Sequence, residues 1–514
     1  MFAVALLFLP CVAPPALPIS PPQSLGDIEK TLKKATNKSG YEDRGYAAAR
    51  SLADIQTPEA MELRLKYFDR LLDTYRGVYL RDWFYSGMLK ARSVEETELL
   101  AKTAANKKAS PLLRLLCLQA IELCPGPIEA KPLMHKNLVK GKDIELFRAW
   151  QRALGHAYAN GRLVLSGWRK KDPDAEVMKA LGKESGIGLL FLQDLSNEQR
   201  EELLDNAINS KEDSDRAELL FGLANRGDFS AEELLPVIAS ALGSSHTGLR
   251  SSAIYACKKN SVAASVPLLI HALEREVSEG GGRFVIDYGD TLMELTGLKM
   301  GRSPEMWNRW WNGSGEKWLS EGGQATNRGM KRPEEETKAT LFGIPIHSNK
   351  IVFAVDGSGS MNGALGKVTR AEAAATELHK LLDVLPEDAL FDVAIVENTM
   401  RTAFGGLKPN IKKNRTEAIE FIERCTFQSR SALYDALTEL QDNWGADTIV
   451  LIGDGGSSNG THQYTGHILA GLKKRHPRTG VRIHTVAVGA SGALLNFMRY
   501  LATDSGGTMV EPKD

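Results

Sequence analysis

The chain has 514 residues, 43% hydrophobic and 25% charged, a globular balance with room for two or three domains and no case for wholesale disorder. Lys+Arg and Asp+Glu both number 64, so the net charge is zero, which excludes a broad electrostatic attraction to nucleic acid or to an anionic membrane surface. Five cysteines over this length do not make a disulfide scaffold, and none has the spacing of a zinc site.

Residues 2–9 (FAVALLFL) form an apolar run followed by Pro10, Cys11, Pro14, Pro15 and Pro18. The run has the character of the core of a secretory signal, with Ala13 and Ala16 near a cleavage point, although no basic residue stands before it. It is too short to span a bilayer as a helix, and no other segment reads as a stable transmembrane span. Residues 1–23 are therefore read as a signal-like segment, and the chain as exported: secreted, periplasmic or in the cell envelope.

Residues 24–216 read as a helical region, with apolar residues at helical spacing in EAMELRLKYFDRLLDTY and PLLRLLCLQAIELC. Cys117 and Cys124 share one helix face there, as core residues do. From 217 to 312 a loose repeat runs: AELLFGLANRG is echoed by SSAIYACKKN, and LLPVIASALG by SVPLLIHALE, each a little over thirty residues on. Such echoes mark stacked helix pairs that bury one another's apolar faces, and the stretch resembles HEAT-type repeats. It ends in Trp307, Trp310, Trp311 and Trp318, the first three on one helix face, an aromatic cluster expected to cap the array. Residues 313–340, rich in glycine and charge, read as a linker.

From 341 to 514 apolar strand-like runs alternate with helices. IVFAV (351–355), FDVAIV (391–396), TIVLIG (448–453) and RIHTVAVG (482–489) are continuous apolar strands, with helices expected at 367–385, 412–424, 432–442 and 461–474. MRTAFGG and GGTMVEP are short edge candidates. The pattern predicts an α/β fold, a doubly wound, mostly parallel sheet covered on both faces, preceded by the all-α repeat region.

The first of these strands ends in VDGSGSM, residues 355–361. Glycines between Asp356, Ser358 and Ser360 let the backbone turn tightly enough for their oxygens to converge. One carboxylate and two hydroxyls make a hard, oxygen-only set suited to Mg²⁺, with Mn²⁺ or Ca²⁺ as alternatives. The segment matches neither a P-loop, which needs G-x-x-x-x-G-K-[ST], nor a dinucleotide fingerprint, since Asn362 stands where the third glycine belongs. Alone, it also suits a turn whose serines cap a helix. Yet DTIVLIGDGG ends a second buried strand in Asp454, and SRSALYDAL places Ser431 before a helix, so three loops at one sheet edge each carry a hard oxygen donor.

With these residues the segment 341–514 resembles a von Willebrand factor type A (VWA) domain, whose metal-ion-dependent adhesion site has the form D-x-S-x-S. The resemblance implies that Asp356, Ser358 and Ser360 form the first metal loop, with Ser431 in the place of a usual threonine and Asp454 as the distal carboxylate. Two departures stand out: Ser431 lacks the methyl that restrains a threonine rotamer, and Ser429 and Arg430 replace the customary glycines. Arg430 puts a cation near the site, where it weakens metal binding or helps to hold an acidic ligand.

The family binds partners by letting a Glu or Asp complete the cation's shell. The expectation is therefore a non-enzymatic adhesion-type protein that grips a protein ligand through its carboxylate, with the helical repeats as scaffold. Two alternatives stand beside it. One is a metal-dependent hydrolase, for which His347, His379, His462 and His467 are candidate bases. The other is a helical scaffold whose VWA domain binds no metal.

Overall fold

The computed structural model describes residues 24–35, 42–71, 77–166, 168–325 and 339–512. The signal-like segment and residues 326–338 of the expected linker lie outside them. Contacts divide the described residues into two units, one ending at Asn206 and one beginning at Ala207, the division falling within helix Asn197–Asn209.

The first unit is helical. Its helices include Pro58–Phe68, Val94–Ala105, Pro111–Leu123 and Ile144–Ala159, around a core that holds Phe68, Phe84, Leu116 and Trp150. Ser93 and Glu96 form a capping box, which fixes where Val94–Ala105 starts. Cys117 and Cys124 are buried core residues, and burial pushes both thiols up in pKa, which makes them inert.

The second unit opens with α1 (Asp213–Arg226), α2 (Ala231–Leu242), α3 (Thr247–Lys259), α4 (Val266–Ser278) and α5 (Arg283–Thr296). The echoing segments lie side by side: α1 packs on α3, α2 on α4, and α3 in turn on α5. Trp307 is fully buried, and Trp310 meets Trp307, Trp311 and Trp318 edge-on at 6.0, 6.0 and 5.6 Å. Helix continues through Glu316–Ser320, past the point where composition suggested a linker, because Trp318 and its neighbours extend the aromatic cluster.

The apolar runs after residue 341 form one sheet. Its strands are β1 (Lys350–Asp356), β2 (Leu390–Val396), β3 (Arg401–Thr402), β4 (Lys408–Pro409), β5 (Thr448–Gly453), β6 (Arg482–Ala487) and β7 (Met509–Val510). The order is β4–β2–β1–β5–β6–β7, parallel from β2 to β7, with β3 and β4 antiparallel along the outer edge of β2.

Both faces are covered, which is why the central strands lack polar alternation. Ile351, Phe353 and Val355 pack with α6 (Arg370–Val384) and α7 (Lys412–Glu423). Val352 and Ala354 face the opposite layer of α8 (Leu433–Asn443), α9 (Thr465–Thr479) and α10 (Gly492–Thr503). The chain leaves β1 toward β2 on one side and later returns to pair β5 on the other. Strand order therefore reverses at β1, and it is beyond the carboxyl ends of the strands at such a switch point that sheets of this kind bind ligands.

At the other end of the sheet, α9 and the amino ends of β5 and β6 meet the helical array. Arg283 is buried and donates from Nη1 to the carbonyls of Asp447 and Gly480 at 2.7 and 3.0 Å. Its Nη2 reaches the Ser251 hydroxyl at 2.9 Å, and Asp287 pairs with both Arg283 and Arg482. Gly248 lets α3 come close to α9, since a Cβ there would collide with the Arg478 carbonyl. Gly248→Ala is therefore expected to cost about 1–3 kcal/mol by forcing the two helices apart. A denaturation midpoint equal to that of the parent chain would refute this close approach.

Candidate functional site

Asp356 is the last residue of β1 and is 4% exposed. Its Oδ1 accepts the Ser358 amide at 2.9 Å and its Oδ2 the Ser358 hydroxyl at 3.0 Å. The hydroxyls of Ser358 and Ser360 lie 2.9 Å apart. Gly357 permits this turn because a Cβ there would meet the Glu397 side chain at 2.5 Å. Buried Met361 anchors the loop from below.

The second loop brings Ser431, which is buried and whose hydroxyl lies near enough to Asp356 to lower the pKa of its carboxyl. Backbone bonds lock this loop to its neighbours. The Ser429 amide donates to the Gly357 carbonyl at 3.3 Å, and the Ser431 carbonyl accepts the Ser458 and Asn459 amides at 2.9 and 3.0 Å. Burial and these bonds hold Ser431 in place without the methyl of a threonine.

The third loop brings Asp454, directly after β5. Its Oδ1 accepts the Gly456 amide at 2.8 Å. Gly453, the residue before it, abuts Asp356: a Cβ there would stand 2.7 Å from the Asp356 Cβ. Glycine at 453 is thus what allows the two acidic strand ends to sit side by side.

The five sequence-predicted donors, Asp356, Ser358, Ser360, Ser431 and Asp454, therefore converge at the switch point. Arg430 is half-buried on the second loop and does not figure among the groups that act most on Asp356. The sequence reading missed Glu397, whose carbonyl accepts the Ala432 amide at 3.0 Å and so ties the second loop to the end of β2. It also missed Arg370, whose Nη1 donates to the Ser360 carbonyl at 3.1 Å. A basic residue at the start of an amphipathic helix gave no signal of that contact.

Burial raises the Asp356 carboxyl to a pKa of about 6, against the hydrogen bond from the Ser358 amide, with the Asp454 charge pushing the same way as burial. The neighbours that act most on this carboxylate are hydroxyls, an amide and a second carboxylate, and no basic side chain is among them. A buried anion of this kind is expensive unless it is paired. The donor set, carboxylate and hydroxyl oxygens only, fits a hard divalent cation.

Comparison with known proteins adds little to this geometry. No family model and no curated protein matches the chain. Two of the solved structures that share part of it show the extent of the likeness. One is a von Willebrand factor type A protein from Catenulispora acidiphila, 22% identical over 33% of this chain, with a TM-score of 0.27. The other is an aerotolerance-related membrane protein from Bacteroides fragilis, 15% identical over 31% of this chain, with a TM-score of 0.25. The chain spans 40% of the length of the first and 90% of the second. At such scores neither likeness bears on the chemistry of the site. Among the described residues no helix is long and apolar enough to cross a membrane.

Proposed function

We propose that this chain is an exported, adhesion-type binding protein of the VWA kind. A divalent cation, Mg²⁺ first and Mn²⁺ or Ca²⁺ as alternatives, is held by Asp356, Ser358, Ser360, Ser431 and Asp454. A Glu or Asp of a protein partner completes its shell. The observation that carries this reading is the buried Asp356 carboxylate at the switch point, set against the Ser358 and Ser360 hydroxyls and beside the like charge of Asp454. With so many neutral donors the bound ion keeps net positive charge, which is what an acidic ligand requires. Arg430 adds a second cation near the same rim and reinforces that preference.

The hydrolase alternative needs a general base beside Asp356, for which His347, His379, His462 and His467 are the candidates. His379 stands exposed on α6, 3.7 Å from Asp383. His347 lies near His484, and His462 is buried against Tyr434, with ring centroids 4.8 Å apart, and close to His467. The helical array is read as scaffold.

Calorimetric titration of the full chain with Mg²⁺ and Mn²⁺, beside Asp356→Ala, tests the site. Saturable binding that the substitution abolishes is expected, followed by a chelator-sensitive pull-down with acidic peptides. Binding of such peptides that ignores chelator would overturn the coordination mechanism.

A further inference from the structure

Arg370 lies outside the D-x-S-x-S motif and opens α6, after a two-stranded turn in which Ala364 and Leu365 pair with Thr369 and Val368. Its side chain is only partly exposed. It threads between two glycines. A Cβ on Gly363 would stand 3.2 Å from the Arg370 Cζ, and a Cβ on Gly489 would collide with the guanidinium outright. Gly489 has φ +71°, so the turn after β6 is shaped for glycine twice over, by conformation and by this contact.

From that slot Nη1 donates to the Ser360 carbonyl at 3.1 Å. The same carbonyl accepts the Gly363 amide at 3.0 Å, so both of its acceptor positions are used. The Arg370 amide in turn donates to the Gly363 carbonyl at 2.9 Å, closing a ring of contacts behind the first loop. The Nε of Arg370 is buried and has no hydrogen-bond partner. That is an unfavourable way to keep an arginine unless the remaining nitrogens are needed where they are. What Nη1 holds is the peptide that sets the direction of the Ser360 side chain, whose hydroxyl is 2.9 Å from that of Ser358.

We propose that Arg370 is a positioning residue for the cation site: clamped between Gly363 and Gly489, it holds the Ser360 peptide and with it the Ser358–Ser360 hydroxyl pair in the coordinating arrangement before any ion arrives. The proposal rests on the cation reading given above. Outer groups that orient the donors of an ion set its affinity without touching it.

The test uses the full chain. Mg²⁺ and Mn²⁺ titrations of R370Q are expected to show affinity about 10- to 100-fold weaker than the parent. The melting temperature of the metal-free protein stays close to parental, a separation that a merely structural role would not give. R370K, which keeps one donor but not the planar fork, is expected to fall between. Hydrogen exchange on the metal-free parent gives a readout independent of the ion: the Met361 and Gly363 amides should already be protected. Parental affinity in R370Q, or fast exchange at those two amides, would overturn the role of Arg370 while leaving the cation site intact. A parent chain that binds neither ion while those amides are protected would instead sink the cation reading, and the proposed role with it.

Discussion

Asp356→Asn is expected to raise the melting temperature of the metal-free protein at pH 7 and to abolish its response to Mg²⁺. In the folded chain the Asp356 carboxyl keeps its proton up to about pH 6, against an ordinary value of 3.8. Between those values the folded state binds more protons than the unfolded one. The stability this group contributes is therefore fully present below pH 3.8 and lost as pH rises through about 6. By pH 7 the loss amounts to about 3 kcal/mol. The asparagine side chain keeps an acceptor for the Ser358 amide and carries no charge to bury, so most of that penalty disappears. In the parent chain the same penalty is relieved by an ion: saturation at a hundred times the dissociation constant adds about 2.7 kcal/mol. Thermal unfolding of both proteins at pH 4.0 and 7.0, with chelator and with Mg²⁺, reads all of this at once. A substituted chain that melts below the parent at pH 7 in chelator would show that the buried carboxylate is not a source of strain.

What could be read from the sequence was what depends on neighbours in the chain. IVFAV and TIVLIG announced buried parallel strands because both of their faces are covered, and no polar alternation interrupts them. Asp356, Ser358 and Ser360 were legible because their convergence needs only the glycines between them. Asp454 and Ser431 were legible because each follows or precedes an element whose period is clear. β4 was missed because a two-residue strand ending in Pro409 has no periodic signal. α9 ends later than expected: the helix runs to Thr479 despite Pro477, which removes one bond of the last turn, and Gly480 at φ +61° closes it. Arg283 was illegible for a different reason. It reads as a first-turn surface residue of an amphipathic helix, and only the carbonyls of Asp447 and Gly480, far away in sequence, make it a buried one. Three glycines before it, each at positive φ, were the single local sign that the chain there makes an unusual approach. Arg370 is the same case at the site, since Gly489 becomes its neighbour only through the sheet.

Arg283→Met is expected to lower stability at pH 7 by about 1–3 kcal/mol, because two buried carbonyls each lose a charged donor, the Asp447 carbonyl keeping only the Arg482 amide at 3.0 Å and the Gly480 carbonyl only the Ser251 hydroxyl at 3.3 Å. Asp287 keeps Arg482 as a partner at 2.8 Å, so its charge is not abandoned. The same substitution should blunt the response to acid. His476 and His484 lie close to Arg283 and Arg482; burial first, and these two guanidiniums after it, hold both imidazoles down at a pKa of about 4, with His347 adding to the effect on His484. An unfolded chain protonates its histidines near pH 6.5, so between 4 and 6.5 the unfolded state binds more protons. Their contribution is fully present above 6.5 and is lost as pH falls through that window, about 2 kcal/mol for each imidazole by pH 5. Without the Arg283 charge both groups are easier to protonate in the fold, and less is lost. Denaturant titrations at pH 7 and pH 5 should therefore show the gap between parent and variant narrowing in acid. A gap that is constant or widens would mean that Arg283 acts through its hydrogen bonds alone. In that case the acid sensitivity of the junction between helical array and sheet would belong to burial of the two histidines, not to the guanidinium between them.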